Sequence, residues 1–325
     1  VVWFTLIAGL VLVTVGAESL VRGAVRLATR LGLSPMFIGM TIVGFGTSTP
    51  ELGASVTASL QGVTDISIGN VVGSNIFNMA VILGLTAALC PISVAVRQIR
   101  ADMVVMLLAA CVPLAAIAGG FVNAWMGALM LLGLAAFLFF GYRRAKEAPA
   151  DEQALVGQEL ETVVPSGAGR VWLSVLFVAA GLAMLIGGSI LFVDSARTVA
   201  SGLGVSDLVI GLTIVAAGTS LPELATSVVA AFRKSPDIAV GNIVGSNIFN
   251  ILGILGISAL VTPQAVSRQS LILDIPMVIG LSVLVWILMA TDRRVSRIEG
   301  GVLLACYGAY LFVLLALAPG WFSAN

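Results

Sequence analysis

His is absent from this chain of 325 residues, and Asp, Glu, Lys and Arg together make up only 10% of it. A soluble domain of this size carries about 25% charged residues, so an ordinary water-solvated surface is excluded. Without His, and without a nucleophile elbow or a phosphate-cradling loop, the chain reads as a non-enzyme that needs no cofactor. The three cysteines, Cys90, Cys111 and Cys306, lie in apolar stretches with no CxxC spacing. They read as small membrane-embedded hydrophobes, which excludes a disulfide framework or a thiolate metal site. The initial Val reads as the residue left after Met removal. No cleavable signal peptide is recognisable, since the first apolar segment runs on into a full span.

What is abundant is apolar sequence, 59% of the residues, arriving in blocks of 18 or more between short polar hinges. In hydrocarbon every backbone polar group needs an internal partner, so such blocks are helices that cross a bilayer. A membrane barrel would need alternation in pieces of about ten residues, and none is visible. The expected spans lie near 2–25, 35–60, 66–89, 101–118, 121–142, 171–196, 206–232, 238–261, 272–291 and 299–318. The fold class is therefore an all-α polytopic membrane protein of ten transmembrane helices. A charged, Pro- and Gly-containing stretch at 143–170 reads as a flexible linker between a first half, 1–142, and a second half, 171–325.

Those halves repeat. GMTIVGFGTSTPEL…DISIGNVVGSNIFN from Gly39 returns as GLTIVAAGTSLPEL…DIAVGNIVGSNIFN from Gly211, at a constant offset of 172. Of the 53 positions from 39 to 91, 29 are identical to their counterparts, which chance does not produce. Five spans per half is an odd number, so the second half enters the membrane from the opposite side: an inverted repeat. Charge placement agrees, because 14 of the 16 Lys and Arg fall in hinges that share one side under this count. By the positive-inside rule both termini face out and the 143–170 linker is cytoplasmic.

Glu51 and Glu223 are repeat equivalents deep inside spans 2 and 7. A charge near the bilayer centre costs at least about 2.5–3.5 kcal/mol on insertion scales, so it needs a partner or a use. No Lys, Arg or His lies at comparable depth, which leaves protonation or a bound cation. Ser48-Thr49-Pro50-Glu51 and Ser220-Leu221-Pro222-Glu223 also fit a capping box, with Ser as N-cap and Glu at N3. The two readings are compatible. Pro50 and Pro222 break spans 2 and 7 at the midplane and free upstream carbonyls, at Gly44 to Thr47 and at Ala216 to Thr219.

The second repeated block places Ser74 with Asn78, and Ser246 with Asn250, four residues apart on one helical face. Helix packing is the competing reading, since Gly69, Gly73, Gly241 and Gly245 make small-xxx-small patterns. The converging groups are carboxylates, amides, hydroxyls and carbonyls. An all-oxygen set suits Ca²⁺ or Na⁺. Two carboxylates carry −2, which one Ca²⁺ or two monovalent cations neutralise. Among weaker signals, Asp65 and Asp237 read as N-caps, Asp102 and Asp274 as serving helix ends, and Glu18 as an ion-pair partner of Arg22 or a step in a cation path.

At GTSTPE with GNVVGSNIFN, and GTSLPE with GNIVGSNIFN, the sequence resembles the Ca²⁺:cation antiporter superfamily, the sodium/calcium exchangers and their prokaryotic relatives. The resemblance implies Glu51 and Glu223 as central Ca²⁺ ligands, with the carbonyls of Thr47 and Thr219. It also implies Ser48, Ser220, Ser74 and Ser246, with the carbonyls of Gly44 and Ala216, as the lining of flanking Na⁺ sites. Spans 1 and 6 would be the tilted pair that slides to alternate access. In the well-understood sodium exchangers one position matching Asn78 or Asn250 is Asp; here both are Asn. One carboxylate fewer, as in proton-coupled members, opens H⁺ as an alternative to Na⁺ and puts a three-to-one stoichiometry in question.

The reading is thus a Ca²⁺ antiporter of a prokaryotic inner membrane, coupled to Na⁺ or H⁺. Its partners are Ca²⁺, monovalent cations and lipid, with no nucleic acid and no obligate protein partner. A cation channel is the reading from a different class, since oxygen ligands alone do not exclude one.

Overall fold

A computed structural model of the protein describes residues 2–93, 96–114, 120–146, 171–203, 216–292 and 294–316. Among these, seven helices are long and apolar enough to cross a membrane: Val2–Leu31 (α1), Thr64–Leu89 (α4), Ala124–Lys146 (α6), Val171–Gly202 (α7), Pro236–Val261 (α10), Ser270–Thr291 (α11) and Arg297–Leu314, which continues to Ala316 (α12). The other three expected spans are shorter pieces. The second is split into Pro35–Thr47 (α2) and Thr49–Leu60 (α3). The fourth is Val96–Cys111 (α5). The seventh begins outside the described residues and continues as Ala216–Thr219 (α8) and Leu221–Phe232 (α9). Most of the 143–170 linker also lies outside them.

Polarity is arranged for lipid rather than water. Trp125 is 82% exposed and Phe312 68%, whereas Ser48, Ser55, Asn78, Glu51 and Glu223 are all buried to 1% or less. Such exposed rings, with the two span-interior glutamates buried, suit bilayer chemistry.

Packing divides the chain into two interleaved units, Val1–Pro50 with Phe140–Asn242, and Glu51–Phe139 with Ile243–Asn325. The halves at 1–142 and 171–325 are a division by repeat, and each unit takes a piece from both.

In the first unit the repeat-equivalent helices α1 and α7 run antiparallel along their length, because glycines let the backbones touch. A Cβ on Gly16 would sit 2.9 Å from the Gly181 carbonyl, and one on Gly181 only 2.6 Å from the Leu20 nitrogen. Ala17, Leu20 and Ala24 are fully buried in the resulting seam, the small-residue packing that van der Waals attraction favours in membranes. Polar pins flank it: Ser195 Oγ donates to Thr5 Oγ1 (2.7 Å) and Ser19 Oγ to the Phe177 carbonyl (2.9 Å). Glu18 pairs with Arg22 one turn on and also accepts from Arg233 Nε at 2.8 Å.

The second unit contains two repeat-equivalent π-helical turns, Asn78–Ile82 in α4 and Phe249–Leu255 in α10. Such turns widen a helix locally and often occur at functional positions; these carry Asn78 and Asn250. Contrary to a purely helical expectation, two short antiparallel ribbons tie hinges together. Ile92–Ser93 (β1) pairs with Arg294–Val295 (β4), and Phe121–Val122 (β2) with Gln264–Ala265 (β3).

Several local expectations are corrected. Asp65 and Asp237 lie inside the first turn of their helices rather than at a cap. Asp102 and Asp274 do not serve helix ends: both are buried, and Asp274 accepts from Tyr310 Oη and Ser270 Oγ, each at 3.1 Å. Gly241 is a close-packing glycine, since its Cβ would meet the Met36 carbonyl at 2.6 Å, but a Cβ at Gly69 or Gly73 would meet nothing within 4 Å in its own unit.

Candidate functional site

The helix breaks fall at Ser48 (φ −81°, ψ 11°) and Ser220 (φ −88°, ψ 9°), repeat equivalents that each precede a Pro by two residues. Proline supplies no N–H for the carbonyl four residues back, so the ladder is interrupted at both places. Glu51 and Glu223 then stand in the first turns of α3 and α9. They belong to different compact units.

In the first unit, Ser48 Oγ donates to Glu223 Oε1 at 2.8 Å. The second carboxylate oxygen of Glu223, Oε2, is buried with no hydrogen-bond partner among the described residues. Asn242 braces this carboxylate from behind. Its Nδ2 donates to the Glu223 carbonyl (3.2 Å) and to Ser227 Oγ (2.9 Å), and its Oδ1 accepts from Thr47 Oγ1 (3.1 Å). One amide therefore fixes a backbone, a hydroxyl and the Thr47 side chain together.

Two details of the sequence reading change here. Ser220 holds the N-cap position without a side-chain capping bond, and the hydroxyl of Ser48 goes to Glu223, 175 residues away. The capping box is therefore not formed in the second repeat. Nor is the Gly44 carbonyl vacated: it accepts from the Ser48 N–H at 3.1 Å and from Thr47 Oγ1 at 3.3 Å. Proline removes the donor to residue i−4, which is Gly46, two positions further along. Ala216 and Thr219 open and close the short helix α8, with Thr219 half-buried.

The second unit repeats the same brace. Asn70 Nδ2 donates to the Glu51 carbonyl (3.1 Å) and to Ser55 Oγ (2.8 Å), matching Asn242 with Glu223 and Ser227 residue for residue. The same unit holds four amides, Asn75, Asn78, Asn247 and Asn250, each buried to 1% or less. Asn75 Nδ2 donates to the Asn247 carbonyl at 3.1 Å, and Asn250 Nδ2 donates to Asn75 Oδ1 at 3.0 Å. The side-chain Oδ1 atoms of Asn78, Asn247 and Asn250 have no hydrogen-bond partner among the described residues, nor has Asn247 Nδ2. Ser74 and Ser246 are buried as well, and the Asn78 N–H bonds the Ser74 carbonyl, as their spacing of four requires.

Buried polar atoms are rarely left unpaired, so the unpaired oxygens mark these residues as candidates for a ligand site. No group of three or more His, Cys, Asp and Glu exists among the described residues. A cation held here would rely on neutral oxygens for most of its ligands.

Of the residues singled out from sequence, the structure joins Thr47, Ser48 and Glu223 in one network. Asn70, Asn242, Asn75, Asn247, Ser55 and Ser227 were missed. Each is identical with its counterpart 172 residues away, the same signal that picked out the glutamates.

The chain matches the family described as sodium/calcium exchanger protein over residues 1–143 and 173–316, and the gap falls on the linker. CaxA of Alkalimonas amylolytica is 39% identical over 313 residues, 95% of this chain and 97% of CaxA. MaX1 of Methanosarcina acetivorans, named a sodium/calcium exchanger, is 34% identical over 95% of this chain and 97% of its own. Among solved structures, the sodium-calcium exchanger NCX_Mj soaked with zero Na⁺ and Ca²⁺ matches with a TM-score of 0.81 at 32% identity. That match covers 96% of this chain and 98% of NCX_Mj.

Proposed function

For this chain, which belongs to the sodium/calcium exchanger protein family, we propose a secondary antiporter that exchanges Ca²⁺ for Na⁺ or H⁺ by alternating access. Glu51 and Glu223 are its shared cation site, assisted by Thr47, Thr219, Ser48, Ser220, Ser74, Ser246, Asn78, Asn250 and the carbonyl of Ala216.

The observation that carries this reading is the Glu223 carboxylate. It is 1% exposed and held at one oxygen by Ser48; among the described residues its other oxygen has no hydrogen-bond partner and no basic side chain forms an ion pair with it. Ser48 lies three residues before Glu51 in the chain, and Glu51 has the same brace as its repeat twin. A pair of such carboxylates is neutralised by one Ca²⁺ or by two monovalent cations. If crossing the membrane requires neutrality, the two loads alternate, which is exchange.

Ten spans in inverted halves are supported by how the hinges pair. β1 and β4 join the third-to-fourth and ninth-to-tenth hinges, which the charge pattern assigns to one side. β2 and β3 join the fourth-to-fifth and eighth-to-ninth hinges, assigned to the other. Glu18 and Arg233, bonded in the first unit, also fall on one side. A miscounted span would bond hinges across the membrane. With the positive hinges inside, the termini face out and the linker is cytoplasmic.

Proton coupling is the second reading, favoured by neutral Asn at both 78 and 250. Radiolabelled Ca²⁺ uptake into proteoliposomes, driven separately by Na⁺ and by pH gradients, tests both. Uptake that needs a counter-gradient supports antiport and names the ion. Uptake indifferent to either gradient overturns it in favour of a channel.

A further inference from the structure

We propose that Asn75 is a positioning residue: it turns the amide of Asn250 so that the carbonyl oxygen, rather than the NH₂ group, is presented to the transported cation. This rests on the reading of Asn250 as a ligand.

An Asn amide has an acceptor end and a donor end of nearly the same shape, and only the acceptor end can ligate a cation. Something must choose between them, and the bonds in the second unit do so in one direction. The chain of bonds starts at the backbone carbonyl of Asn247, which can only accept. Asn75 bonds it at 3.1 Å, so the NH₂ of Asn75 must face that way. Oδ1 of Asn75 then faces Asn250, and an acceptor there requires a donor opposite, which Asn250 Nδ2 supplies at 3.0 Å. The carbonyl oxygen of Asn250 is what remains, buried and without a hydrogen-bond partner among the described residues. Each orientation follows from the one before, and the first is fixed by a group with no second option.

The device is one-sided. Asn247, the repeat equivalent of Asn75, has neither side-chain amide atom in a hydrogen bond among the described residues. A first-repeat residue thus aligns a second-repeat ligand, with no reciprocal bond from Asn247 to Asn78. Asn250 itself sits in a π-helical turn.

Orientation matters for an amide and not for a carboxylate, whose two oxygens both accept. This separates positioning from plain structural support. Ca²⁺-concentration dependence of uptake would be measured for Asn75→Leu, Asn250→Leu, Asn250→Asp and the double variant Asn75→Leu/Asn250→Asp, each checked for a single symmetric peak in detergent. Asn75→Leu is expected to raise the half-saturating Ca²⁺ concentration about tenfold, one unpaired charge-facing bond. In the Asn250→Asp background the same change is expected to matter less than about threefold. Where Asn75→Leu does not yield folded protein, Asn75→Ser, which cannot donate and accept along the same line, serves in both backgrounds. An equal penalty in both backgrounds, or none in either, overturns the positioning role. An unchanged half-saturation in Asn250→Leu overturns the ligand reading itself, and the inference with it.

Discussion

Ser48 and Glu223 lie 175 positions apart in the chain, yet the serine hydroxyl donates to the carboxylate at 2.8 Å, both side chains buried. A hydrogen bond to a charged group contributes about 1.5–3 kcal/mol, and this one holds a carboxylate whose other oxygen is unpartnered. Ser48→Ala should therefore raise the half-saturating Ca²⁺ concentration by about tenfold or more, while Ser48→Thr, which keeps the hydroxyl, should recover most of it. Ca²⁺-dependent uptake in proteoliposomes reads both; an Ala variant with the original half-saturation would separate Ser48 from the site.

Glu51→Gln and Glu223→Gln should each abolish exchange while the protein still elutes as a folded species. Glutamine fills the same space but removes one of the two negative charges that the proposed site offers a Ca²⁺ ion. Transport retained in either variant would sink the central claim.

Replacing Asn250 with Asp should make exchange more sensitive to membrane potential. A third carboxylate needs a third monovalent cation for neutrality, whereas on the proposed reading the pair of glutamates balances one Ca²⁺ against two. Flux measured under imposed valinomycin potentials should be nearly flat for the native protein and steeper for the variant. A native flux as steep as the variant's contradicts the charge count.

Glu18 is committed to Arg22 and Arg233. Its side chain is 24% exposed and Arg233's is 45% exposed, so the cluster is partly water-screened and stabilises the fold by about 0–1 kcal/mol. Glu18→Gln should therefore leave uptake close to native, with at most a small drop in thermal stability. Loss of uptake in a folded Glu18→Gln protein would instead put Glu18 on the cation path.

The α1–α7 seam should tolerate no added side chain. Gly181→Val forces a Cβ toward the Leu20 backbone, where the space is 2.6 Å. Overpacking of this kind typically destabilises by about 1–3 kcal/mol. Gly280→Ala, where a Cβ meets nothing within 4 Å, should cost less than about 0.5 kcal/mol. Thermal unfolding in detergent compares them, and equal melting temperatures would mean the seam is not close-packed.

The apolar helices and the two glutamates were legible before any coordinates. Hydrocarbon permits few backbone solutions, so an uninterrupted apolar block is already a helix, and a lone carboxylate within one is conspicuous at any position. Legibility failed where one local pattern serves two arrangements. Ser-x-Pro-Glu spacing fits a capping box, but at Ser220 no capping bond forms and at Ser48 the hydroxyl leaves for Glu223. Asn70 and Asn242 carry no local mark of a special role in their glycine-containing helices. Their role as braces under Glu51 and Glu223 depends on partners 19 residues away on a neighbouring helix.

Sequence alone determined that this protein lives in a bilayer, that its chain repeats at an offset of 172, and that GTSTPE and GTSLPE are where the apolar spans break. Those are one-dimensional properties, set by transfer energies and by proline's missing N–H. The tertiary structure decided which donor each buried oxygen receives and which oxygens receive none. That outcome depends on the approach of helices distant in sequence. An amide or hydroxyl carries no sign of its partner until the backbone that brings them within 3 Å has been laid down.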